Sequence, residues 1–132
     1  MIRRLRAIER RVAFRGSVLL FLALWSGGQV ARLTLAPPVT PTTAYLASIA
    51  PLPVLAIPWA ACTVLCAAQA FTVTDWHAFA LTAGVLVTWA VLYLVGGLRS
   101  AIPQGYWACI IQIVMAGLVL RISRWPDPPR ER

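Results

Sequence analysis

The sequence predicts an all-α integral membrane protein: four transmembrane helices preceded by a basic amphipathic helix lying on the membrane surface. Two observations carry that prediction. Of 132 residues, 60% are hydrophobic and 12% charged, with a mean hydropathy of +0.76, whereas soluble domains carry about 25% charged residues. The charges are also clustered. Arg15 to Arg32 encloses 16 uncharged residues, Arg32 to Asp75 encloses 42, Asp75 to Arg99 encloses 23 and Arg99 to Arg121 encloses 21. A bilayer crossing needs roughly 20 apolar residues, so these runs match membrane spans and exclude a soluble enzyme core and intrinsic disorder alike.

The elements follow in order. In residues 1–15, Ile2, Leu5, Ile8 and Val12 share an arc of about 120° on a helical wheel, and most of the six Arg point elsewhere. Such a segment fits an interfacial helix, with Arg3, Arg4, Arg6, Arg10, Arg11 and Arg15 as contacts for anionic lipid headgroups. The first span is expected near 16–36; its uncharged run is short, so Arg32 must extend outward to complete the crossing. A cleaved signal peptide is not expected, because Pro37 and Pro38 directly follow the best cleavage point after Ala36. Pro37, Pro38 and Pro41 end the helix and leave an uncharged loop, after which Thr40 as N-cap and Pro41 at the first helical position restart it.

The second span, 45–71, contains Pro51, Pro53 and Pro58, each of which removes a backbone donor. Two arrangements compete: one kinked helix over the whole distance, or a span starting near Pro53 with residues 44–50 as a separate piece. The third span is expected over 76–97, with Thr74 as N-cap, Asp75 favourably placed in the first turn, and Gly96-Gly97 as the stop signal. A loop with Arg99 and Pro103 leads to the fourth span, 105–122, and residues 123–132 read as a short disordered tail.

Orientation follows from counting. The first 15 residues hold six Arg and residues 121–132 hold four, against Arg32 and Arg99 at the opposite ends of the spans. The positive-inside rule then places both termini in the cytoplasm and the chain in the cytoplasmic membrane. The net charge of +8 is thereby assigned to lipid headgroups, and no nucleic-acid partner is expected.

Candidate sites are few. Gln112 is the one strongly polar residue near the middle of a span, and it should face protein. There it either lines a polar path or bonds a neighbouring helix, with the indoles of Trp25, Trp59 and Trp89 at comparable depth. Ala80, Gly84 and Thr88 form a small-residue stripe on the third span, and Ala108, Gln112 and Ala116 form one on the fourth. Such stripes mark close helix contacts, here expected chiefly within the chain. Cys62 and Cys66, four residues apart, lack the partners and spacing of a metal or redox site. Arg32 and Arg99 at matching depth are read as two outward-reaching ends, and Asp75 beside His77 as a helix cap. With one His, four acids and no Lys, no nucleophile–base set, phosphate loop or zinc spacing is present. No enzymatic activity, cofactor or metal is expected.

All twelve basic residues are Arg, and Lys and Asn are absent. In size, Arg-only basicity and span layout the chain resembles small polytopic membrane proteins of high-GC actinobacteria and their phages. That resemblance implies a non-enzymatic protein acting by helix packing or oligomerisation, as a superinfection-exclusion or immunity protein or in a holin-like role. The alternative is an accessory subunit of a host membrane complex, or a small oligomeric transporter. Expected partners are the anionic bilayer and a second copy or another membrane protein.

Overall fold

Prolines and glycines set where this chain bends and where its helices touch. The computed structural model describes residues 1–3, 5, 6, 12–35, 39–72 and 74–125. A π-helical turn, Val12–Gly16, runs into helix α1, Ser17–Thr34. A short helix α2, Pro41–Ile49, is followed by α3, Leu52–Gln69, then α4, Trp76–Leu98, and α5, Gly105–Ser123. Four stretches are long and apolar enough to cross a membrane: Phe14–Thr34, Leu52–Gln69, Trp76–Leu98 and Gly105–Ser123. At 1.5 Å per residue the shortest is about 27 Å long, against a hydrocarbon core of about 30 Å. Helix α2, with 9 residues, is too short to cross.

The Pro-rich second region forms two helices. Ala50 is extended (φ −157°, ψ 160°), as expected for a residue preceding proline, and Pro51 stands at the N-cap of α3. Pro58 remains inside α3. Thr40 caps α2 as its position before Pro41 predicts, its hydroxyl accepting from the Thr43 amide at 3.2 Å.

The helices pack as two pairs, α1 with α3 and α4 with α5, joined chiefly through α3 and α4. Leu19, Trp59, Phe79 and Leu86 are among the largest fully buried side chains. Trp59 and Trp89 meet edge-to-face at 5.2 Å across the α3–α4 contact, a favoured geometry for aromatic pairs. Helices α1 and α5 face each other across an open apolar groove of about 300 Å³, lined in part by Val18, Leu22, Met115 and Val119.

Two stop signals work differently from the sequence expectation. Helix α4 continues through Gly96 and Gly97 to Leu98, and Ser100 adopts the left-handed conformation (φ 56°) beyond it. The Gly96 carbonyl instead accepts from the amides of Ala101 and Ile102, folding the loop back onto the helix. Gly97 serves close approach: a Cβ placed on Gly105 would lie 2.7 Å from Gly97 Cα and 2.5 Å from the Tyr93 carbonyl oxygen. At the start of α4, Asp75 and not Thr74 occupies the N-cap, and its side chain makes no capping bond. The cap comes from another helix, because Gln69 Oε1 accepts from the Ala78 amide at 3.0 Å.

The start of α1 and the end of α5 lie at one end of the bundle, where Phe14 meets Trp125 edge-on at 5.7 Å. We call this the termini end; the far end carries α2 and the 99–104 connection. Exposed aromatics occur at both ends: Trp76 and Trp125 at the termini end, Tyr106 and Trp107 at the far end. The expected interfacial helix lies largely outside the described residues, as do Arg4, Arg10 and Arg11 and the tail from residue 126. Arg3 and Arg6 are exposed.

Candidate functional site

At the termini end, Arg15 reaches inward to Asp75 instead of outward to solvent. Its Nε lies 2.7 Å from Asp75 Oδ2 and its Nη2 donates to Oδ1 at 2.9 Å, with the two side chains only 16% and 15% exposed. The same guanidinium donates to the Ser123 and Trp125 carbonyl oxygens, each at 3.3 Å, and stands 5.5 Å from the Phe79 ring centroid. One side chain thus ties the start of α1 to the start of α4 and the end of α5. This corrects two expectations. Arg15 is an interhelical clasp where a headgroup contact was expected, and Asp75 is its counter-ion where a cap was expected. Residues 15 and 75 are 60 positions apart, so no local pattern announces their pairing.

Gln112 lies in the interior, 7% exposed, and its Oε1 is buried without a hydrogen-bond partner. The buried indole nitrogens of Trp25 and Trp59 and the Ser26 hydroxyl are likewise unpartnered. These groups occur near the middle of their helices, yet Gln112 Oε1 bonds neither indole. Unsatisfied buried polar groups cost about 1–3 kcal/mol each.

The small-residue stripe on α4 is placed on the outside of the bundle. Ala80, Gly84 and Thr88 are all exposed, nothing lies within 4 Å of a Cβ built on Gly84, and the Thr88 hydroxyl bonds back to the Gly84 carbonyl at 2.9 Å. Packing of this stripe within the chain, expected from its spacing, is therefore overturned. On α5, Gln112 and Ala116 are buried and Ala108 is half-buried, so that stripe does face the bundle.

Cys62 and Cys66 are free and buried, and Cys66 Sγ lies 3.3 Å from Thr82 Oγ1. Among the described residues no three His, Cys, Asp or Glu side chains converge as a metal site. Arg32 and Arg99 are both exposed; Arg32 lines a cleft at the far end, and Arg99, on the 99–104 connection, lies outside that lining. No family model, curated protein or solved structure matches this chain.

Proposed function

We propose that the chain is a non-catalytic, multi-pass protein of the cytoplasmic membrane that acts by associating laterally with other transmembrane helices. The observation that carries this reading is the exposed Ala80, Gly84 and Thr88 stripe on α4. In lipid, apolar bulk gives no drive to associate, and helix pairs form where small residues let backbones approach closely. Here the stripe has open space above Gly84, and its one hydroxyl is already bonded within the helix.

The surface of the spans supports association over pore formation. The exposed mid-helix side chains include Phe21, Leu24, Ile57, Val64, Val87, Val91, Ile113 and Val114. A hole lined by several copies needs a polar helix face, and the polar side chains Ser26, Thr82 and Gln112 are turned inward. Exclusion, immunity or an accessory role therefore fits better than a holin-like one. Ten of the twelve Arg belong to the segments at the termini end, which orients that end toward the cytoplasm and gives Arg3 and Arg6 to anionic headgroups.

The test is Gly84→Leu. Wild-type protein in mild detergent should self-associate, or retain a membrane partner from its host. The variant should lose that association by at least about tenfold while its thermal unfolding stays unchanged. Equal association of both proteins overturns the reading. Expression alone should leave growth and membrane potential normal, and rapid depolarisation would instead identify a hole-former.

A further inference from the structure

The far end holds a cleft of about 400 Å³ with a mixed lining. Its polar side chains are Arg32 from the last turn of α1, Thr42 from α2, Tyr93 from α4 and Gln104 before α5, and its apolar ones include Trp107 and Ile111 of α5.

Two features give this cleft an electrostatic sign. Arg32 contributes a full positive charge, and the sequence holds no Asp or Glu from residue 16 to 126 except Asp75, at the other end of the bundle. Among the described residues, the guanidinium therefore has no carboxylate within reach. The N-terminus of α5, a 19-residue helix, opens at the same cleft, and Gln104 at its N-cap makes no side-chain capping bond. The Gly105 amide donates to the Ile102 carbonyl oxygen at 3.1 Å, and the amides that follow it add, with the helix dipole, further positive character.

We propose that this cleft binds the anionic head of an amphiphile, a phosphate or carboxylate. Arg32 and the start of α5 hold the charge, and Trp107 and Ile111 seat the first methylenes of its chain. A cation flanked by an exposed indole suits this division, since Trp presents an apolar body at a wet boundary. The inference is independent of association through α4, because none of Ala80, Gly84 and Thr88 lines the cleft.

The experiment is a lipid titration of the purified full-length protein in non-ionic detergent, read by native mass spectrometry. Phosphatidylglycerol and phosphatidylcholine are compared, and inorganic phosphate serves as competitor. Wild type should hold phosphatidylglycerol at least about tenfold more tightly than phosphatidylcholine. Arg32→Gln should abolish that preference, and Arg99→Gln should leave it within about twofold. Gln104→Glu, which brings a carboxylate to the cleft and suits a helix N-terminus, should abolish it as well. That variant decides the matter if Arg32→Gln fails to fold. Displacement by millimolar phosphate identifies a free anion as the ligand; resistance to it identifies a lipid headgroup. Equal losses in Arg32→Gln and Arg99→Gln, a Gln104→Glu variant that binds like wild type, or no preference between the two lipids would overturn the proposal.

Discussion

The two ends of this bundle solve the same problem in opposite ways. At the termini end, the Arg15 guanidinium meets a carboxylate and two backbone carbonyl oxygens, and the first turn of α4 is capped by Gln69. At the far end, Arg32 and Arg99 have no acidic residue of their own chain nearby in sequence, and the first turn of α5 has no side-chain cap. Charge is consumed by structure at one end and left available at the other. In a chain whose spans contain so little polarity, that asymmetry places the stabilising ion pair at one end and the proposed binding cleft at the other.

The largest effect should come from breaking the clasp. Arg15→Ala leaves Asp75, 15% exposed, without its counter-charge. Removing one partner of a fully buried ion pair costs about 3–5 kcal/mol. This pair is part-buried, so the loss on unfolding the detergent-solubilised protein should fall at or below the lower end of that range and still exceed that of the other variants. Replacing both members together, Arg15→Met with Asp75→Leu, should recover much of the loss. If the single and double variants are equally destabilised, the clasp acts through geometry and not charge. Arg99→Ala, the matching change at the far end, should be close to neutral.

A smaller effect is expected where the far end is held together by contact instead of charge. Gly105→Ala puts a Cβ 2.5 Å from the Tyr93 carbonyl oxygen, so α4 and α5 must separate or shift. Overpacking of this kind costs about 1–3 kcal/mol. Gly84→Ala, with nothing within 4 Å of the new atom, should leave the stability of the single chain unchanged. Thermal unfolding of both variants checks the pair, and equal behaviour would mean that the Gly97–Gly105 contact does not hold the far end.

How much of this was legible in the sequence divides along physical lines. Charge-free runs report solvent preference, so four membrane-length helices were visible in them, and the Thr40-Pro41 start is local chemistry within a few residues. Helix faces were not readable. A span surrounded by lipid is apolar on both its outer and inner sides, so periodicity does not say which way Ala80, Gly84 and Thr88 point. The Gly96-Gly97 pair was legible as a special position, but its purpose lay in Gly105 on the next helix. The Arg15–Asp75 pairing depends on where α1 and α4 finish in space, which no window of sequence contains. Gln112 alone combined both kinds of signal. Its polarity predicted an inward position, while its lack of a partner is a property of the packed bundle.

The smallest effect tests whether capping differs between the two ends as the geometry requires. Gln69 comes from the last turn of α3, yet its Oε1 takes the Ala78 amide in the first turn of α4, joining two helices across the intervening turn. Loss of a cap typically costs about 1 kcal/mol, so Gln69→Ala should lower the unfolding free energy by that amount. Gln69→Glu keeps an acceptor at the same site and adds a favourable charge near the helix N-terminus, so it should retain wild-type stability. At the far end, Gln104→Ala removes a side chain that makes no capping bond and should change stability little. Equal losses for Gln69→Ala and Gln104→Ala would show that the start of α5 is capped in solution. A capped helix start has fewer amides free for an anion, and the contrast between a closed termini end and an open far end would then rest on Arg32 alone.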